Sequence, residues 1–153
     1  AIRYPRGCGE GRKIFEDPKE VKIGKSKILK KGKDLAIICL GPCVTAALEA
    51  AKETKADCSI INARFAKPLD KTKILDQIKR CNNKALIIEE NSLDGGFGSS
   101  VIELLQENNI KADVTRIGVP DKFIEQGSQD ILRKNIGLDK EGILKKIKEI
   151  TKK

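Results

Sequence analysis

Apolar residues fall into short continuous runs separated by segments with helical spacing. The run at 35–40 (Leu-Ala-Ile-Ile-Cys-Leu) stops at Gly41-Pro42, as a strand covered on both faces would. An Ala- and Leu-rich stretch over 44–53 predicts a helix that starts at Gly41-Pro42 or Thr45. The alternation then repeats. A second run at 58–61 precedes Lys67-Pro68-Leu69-Asp70 and a helix whose inner face is Ile74, Leu75 and Ile78, with Asp70 as its N-cap. A third run at 85–89 leads through Gly95-Gly96-Phe97-Gly98 to a helix facing inward with Val101, Leu104 and Leu105. The fourth run, 112–117, ends at Gly118 and Pro120, and two helices around 129–135 and 141–150 close the chain. Strands separated by single helices predict a largely parallel sheet with helices on both faces. Residues 26–30 add a Lys-studded strand whose link to position 35 is too short for a parallel crossover, which makes it antiparallel and an edge. The Gly-containing, apolar-poor stretch 8–25 reads as a connecting segment.

Composition narrows the chemistry. At 153 residues the chain fits one domain that buries roughly two-thirds of its unfolded surface. It contains no His, which removes Ser-His-Asp and Cys-His catalysis and the commonest metal ligand from this chain by itself. No apolar run approaches the ~18 residues of a membrane span, and no signal-peptide pattern opens the sequence, so a cytoplasmic protein without membrane contact is expected. The net charge of +9 is unevenly placed. Residues 19–33 hold seven Lys against Glu20, and residues 140–153 hold six Lys against Glu141 and Glu149, leaving 34–139 slightly acidic. Such flanks suggest an anion- or nucleic-acid-binding module, but the aromatic platforms and motifs of nucleic-acid binders are missing.

Five cysteines with no Cys-x-x-Cys pair suggest neither a disulfide framework nor a zinc ribbon. Cys39 and Cys58 sit in apolar runs and read as core residues, while Cys43 and Cys81 are expected to be surface thiols. The glycines at 95, 96 and 98 depart from a dinucleotide fingerprint and lack the Lys of a phosphate loop, so close backbone packing explains them better. Glu89 and Glu90 close a strand at the end of the sheet where ligands usually bind. Adjacent strand residues face opposite ways, so a shared proton or metal is not expected, and loop hydrogen bonds or a subunit contact are. Arg3-Tyr4-Pro5-Arg6-Gly7 places two guanidiniums about a stiff Pro, a pattern suited to phosphate or carboxylate.

Several of these segments together resemble the C-terminal part of the 1-deoxy-D-xylulose-5-phosphate synthase family. They are the opening through Gly7, Asn62-Ala63-Arg64-Phe65-Ala66-Lys67-Pro68-Leu69-Asp70, Glu89-Glu90-Asn91 with Gly95-Gly96-Phe97-Gly98, and the stretch from Gly118 to Gln129. The order is kept over essentially the whole chain. The resemblance implies an α/β fold, a three-layer α/β/α sandwich with a mixed, mostly parallel sheet of about five strands over residues 26–153. It implies that residues 1–25 are the end of a middle domain and a linker. It also implies a homodimeric transferase of isoprenoid and thiamine precursor biosynthesis, acting on pyruvate and glyceraldehyde 3-phosphate with thiamine diphosphate and magnesium. Cofactor, metal and catalytic residues would all lie in preceding domains. Arg6, and secondarily Arg3, would contact the substrate phosphate, and the chain alone would be inactive. Transketolase and the beta subunits of 2-oxoacid dehydrogenases, which share the Glu-Glu-Asn and glycines more loosely, are the nearer alternatives.

Overall fold

Leu35, Ala36, Ile37, Ile38 and Cys39 have no solvent exposure, and they form the central strand of a five-stranded sheet. A computed structural model describes residues 20–152 of the chain. The strands are β1 (Lys27–Lys30), β2 (Leu35–Leu40), β3 (Cys58–Asn62), β4 (Lys84–Ser92) and β5 (Asp113–Val119), in the spatial order β1-β3-β2-β4-β5. All neighbours are parallel except β1, which runs antiparallel to β3. The helices are α1 (Cys43–Lys52), α2 (Lys71–Arg80), α3 (Phe97–Glu107), α4 (Gln129–Asn135) and α5 (Lys140–Thr151).

The period of two along β2 builds both cores. Leu35, Ile37 and Cys39 pack with α1 and α5, whereas Ala36 and Ile38 pack with α2 and α3. The helices answer with spacings of three and four: Ala47, Ala50 and Ala51 on α1, Ile74 and Ile78 on α2, Ile143, Ile147 and Ile150 on α5. Small alanines bring α1 close to the sheet. Each fully buried Ile or Leu contributes roughly 1.5–3 kcal/mol, so these two layers carry most of the stability. The result is the three-layer α/β/α sandwich expected.

Local details depart from the sequence reading in three places, and a fourth, the neighbour of β1, is one that reading leaves open. The short link after β1 does enforce an antiparallel strand, yet β1 lies beside β3 rather than β2. Residues 31–34 pass under the start of β3, where the amides of Lys33 and Asp34 both donate to the Asp57 carbonyl at 2.9 Å. A Cβ on Gly32 would sit 2.3 Å from the Cys58 carbonyl carbon, so only glycine allows this crossing. Asp70 occupies the N-cap position of α2, but its side chain makes no cap bond. Its carboxylate instead accepts from the Ser26 amide at 2.9 Å and the Ser26 hydroxyl at 3.0 Å, fastening the strand that precedes it in the chain. Cys43 and Cys81 are buried, not surface thiols. Cys43 starts α1 on its inner side and donates to the Leu40 and Ile88 carbonyls, and Cys81 closes α2 against the Gly32 carbonyl. Finally, Gly118 does not end β5, which runs on to Val119. A Cβ there would lie 2.9 Å from Leu93 Cδ2 and 3.0 Å from the Asn91 carbonyl oxygen, so the glycine marks a close approach inside the strand.

Candidate functional site

In an open α/β sheet the crevice for ligands forms where successive crossovers leave in opposite directions. Here that point lies between β2 and β4, since β3 pairs on one side of β2 and β4 on the other. A cleft of about 690 Å³ opens there, bordered by Gly41 and Pro42 after β2, Glu90 and Asn91 from β4, and Gln129 and Arg133 from α4. A neighbouring cleft of about 540 Å³ lies between Lys67-Pro68 and the Gly96–Ser100 turn.

The two adjacent glutamates do different work. Glu89 is 1% exposed, and its two oxygens accept from the amides of Phe97 at 2.7 Å and Gly98 at 2.8 Å. The positive end of α3 therefore holds an anion supplied by the chain itself. The glycines make this possible: a Cβ on Gly96 would lie 2.1 Å from the Ser92 carbonyl oxygen, and one on Gly98 would lie 2.7 Å from Arg116 Cδ. Arg116 completes the turn by donating to Ser99 Oγ at 3.0 Å and to the Leu93 carbonyl. With both Glu89 oxygens engaged and the amides taken, this nest has no place for a nucleotide phosphate. Close backbone packing within the fold accounts for these glycines. Glu90 points the other way and accepts from Arg133 Nε at 2.6 Å, binding α4 to the end of β4. The two carboxylates thus engage separate partners on opposite sides of the strand.

Nucleophilic chemistry finds little support. Burial pushes the Cys58 thiol up to about 11 and raises Cys81, while a hydrogen bond with Cys43, reinforced by burial, raises Cys39. Such thiols are protonated at neutral pH and inert. No cluster of three metal-ligating side chains occurs among the described residues, and none of their helices is long and apolar enough to cross a membrane. The Lys-rich flanks map to different elements, β1 at a sheet edge and α5 on one face. The candidate ligands Arg3 and Arg6 lie outside the described residues, as does Cys8.

Three side chains that shape this end were missed in the sequence: Arg133, Arg116 and Arg64. Arg133 and Arg116 act across 43 and 17 residues, a separation no local pattern encodes. Arg64 adopts a left-handed backbone with φ of 62°, held by the Asn62 side chain, which accepts from its amide at 3.0 Å. The Asn two positions earlier is the only local signal for that turn.

Comparison with known proteins places this geometry. The profile described as "Transketolase, C-terminal domain" matches residues 24–143. A 1-deoxy-D-xylulose-5-phosphate synthase of Geobacter sulfurreducens is 46% identical over 147 residues, covering 94% of this chain and 23% of the relative. The corresponding synthase of Geobacter metallireducens is 42% identical over 156 residues, covering 99% of this chain and 25% of the relative. The chain thus spans about a quarter of the length of the curated relatives it matches. A solved structure titled "Split gene transketolase, inactive beta4 tetramer" superposes with a TM-score of 0.81 at 26% identity, covering 92% of this chain and 46% of that one. These matches give no support to a role in thiamine biosynthesis.

Proposed function

Because the chain belongs to the transketolase C-terminal domain family, we propose that it is the C-terminal region of a 1-deoxy-D-xylulose-5-phosphate synthase. The observation that carries this reading is identity of 42–46% with such synthases over 94–99% of the chain. The intact enzyme would join pyruvate to glyceraldehyde 3-phosphate with loss of CO2, as a cytoplasmic homodimer supplying isoprenoid precursors. Thiamine diphosphate and magnesium would supply the carbanion chemistry from other domains. Residues 1–25 would finish the middle domain and link it to the sandwich that begins at residue 26. Within this chain Arg6 would hold the aldehyde phosphate, with Arg3 beside it, because a guanidinium fork matches phosphate geometry.

The test is direct. The intact protein containing this sequence makes 1-deoxy-D-xylulose 5-phosphate and CO2 from the two substrates, and Arg6→Ala raises KM for the phosphorylated aldehyde about ten-fold or more. The 153-residue chain by itself turns over nothing and gives no saturable heat with thiamine diphosphate and magnesium. Ketol transfer between sugar phosphates by the intact protein, or cofactor binding by the chain alone, would overturn the proposal.

A further inference from the structure

At the end of the sheet where the parallel strands begin, a cavity of about 770 Å³ is bordered by four lysines. Lys55 follows α1, Lys84 opens β4, and Lys148 and Lys152 stand at the end of α5. Among the described residues none of the four forms an ion pair or donates a side-chain hydrogen bond. The acids beside them are already engaged. Glu53 is held by Lys140 at 3.0 Å, and Asp34 commits one oxygen to the Asp57 amide at 2.7 Å. Helix dipoles do not use up the charge either. The last turns of α1 and α2 carry their own cations, Lys52, Lys79 and Arg80, and none of these borders the cavity. Lys148 answers α5, which leaves Lys55, Lys84 and Lys152 against the one carboxylate of Asp34. A second feature, independent of charge, points the same way. The backbone amides of Thr54, Lys55 and Asn82 have no acceptor among the described residues, and all three residues border the cavity. The Thr54 hydroxyl accepts from the Ala56 amide at 3.2 Å and so keeps its own proton to donate.

We propose that this cavity binds a small phosphate monoester whose organic part carries hydroxyl groups. A dianion matches the excess of positive charge. Lysine ammoniums act as point charges on phosphate oxygens, and amides without an acceptor add directed hydrogen bonds. The volume falls within the range of ligand pockets, roughly 300–1,000 Å³, and is larger than a bare phosphate fills. Apart from the lysines the lining is mostly polar, with Thr54, Asn82, Thr151 and Asp34 beside Ala56, which suits hydroxyl groups. No aromatic side chain borders the cavity, so a nucleobase finds no stacking surface there. None of the large exposed apolar residues borders it either, so lipid chains find no seat. Magnesium-bound thiamine diphosphate does not fit this site, because metal and thiazolium cancel the charge of its diphosphate. The cavity is therefore independent of the synthase reading and of the phosphate contact assigned to Arg6.

Amide NMR spectra of the 153-residue chain, titrated with glycerol 2-phosphate at constant ionic strength, test the proposal. Saturable shifts are expected at Thr54, Lys55 and Asn82, while glycerol alone produces none and sulfate binds about ten-fold more weakly for want of hydroxyl contacts. Lys84→Gln/Lys148→Gln raises the Kd for the ester about ten-fold or more, whereas Arg6→Ala leaves it unchanged. Dispersion of the same spectra reports folding. Should Lys84→Gln disturb the start of β4, Lys148→Gln/Lys152→Gln on α5 takes its place with the same expected weakening. Shifts that do not saturate, that spread evenly over the lysine surface, or that follow Arg6 instead of the cavity lysines overturn the proposal. Sulfate binding as tightly as the ester overturns it too, since the cavity then takes an adventitious ion only. The wild-type synthase assay reads the functional proposal separately, because neither outcome of the titration depends on activity.

Discussion

The two ends of the sheet solve opposite electrostatic problems. Helix N-termini gather at the end where the parallel strands finish, and the chain meets them with its own acceptors. Glu89 sits on α3, Asp139 accepts from Gly142 on α5, and Ser128 accepts from Ile131 on α4. At the other end helix C-termini collect, and their last turns carry Lys52, Lys79, Arg80 and Lys148. A cavity of about 770 Å³ there is bordered by Lys55, Lys84, Lys148 and Lys152. Each helix end bears roughly half an elementary charge, so lysines are favourable neighbours of one end and carboxylates of the other. The difference teaches that part of the +9 charge answers the fold's own dipoles. A high net charge therefore does not by itself announce an external polyanion.

The sharpest way to break this comparison is to remove what each end cannot replace. Glu89→Ala strips two buried amides of their acceptor and is expected to lower stability by about 3 kcal/mol in urea unfolding. At the opposite end Gly32→Ala drives a methyl group into the β3 backbone, and a loss of about 3 kcal/mol is expected there too. If Glu89→Ala costs under about 1 kcal/mol, the internal-anion account of α3 is wrong. Arg133→Ala frees α4 from β4. The Glu90 pair is less than a third exposed, so a loss of about 1 kcal/mol is expected, with faster exchange confined to α4.

Asp70 gives a pH signature at the strand-finishing end. Burial raises its carboxyl, but the Ser26 amide and hydroxyl and the Lys73 ammonium outweigh it, so the folded value lies below the ordinary one. Stability from this group is then complete above the unfolded value near pH 4 and disappears as pH falls through the lower folded value. Denaturation curves between about pH 2 and 6 should show a weaker acid dependence for Asp70→Asn than for the parent. An identical dependence would remove Asp70 from the clamp on Ser26. The smallest effect belongs to the lysine-rich end: Lys148→Glu, exposed in the last turns of α5, should cost only about 0.5 kcal/mol and less in high salt.

Much of the architecture could be read from the pattern. The runs at 35–40 and 58–61 are covered on both faces, so their continuity in sequence is a direct record of two-sided burial. The inner residues of α2 and α3 were likewise visible, because spacings of three and four report one helix face. The candidate site was only half legible. That Glu89 and Glu90 part company follows from strand geometry, whereas what each one meets does not. Cys43 and Cys81 show the same boundary: one opens α1 and the other follows α2, and only packing against β4 and the Gly32 backbone, far along the chain, buries them.

Sequence alone determined the order of elements, the parallel sheet with its antiparallel edge, and the absence of imidazole chemistry. These depend on periodicity, link length and composition, which are properties of neighbouring residues. Tertiary structure decided that β1 crosses to β3, that Asp70 grips Ser26 instead of capping α2, and that Glu89 fills the helix end the glycines prepared. Each is a choice among partners brought together from distant positions. The free energy separating those choices resides in burial and hydrogen-bond geometry, which exist only once the chain has folded.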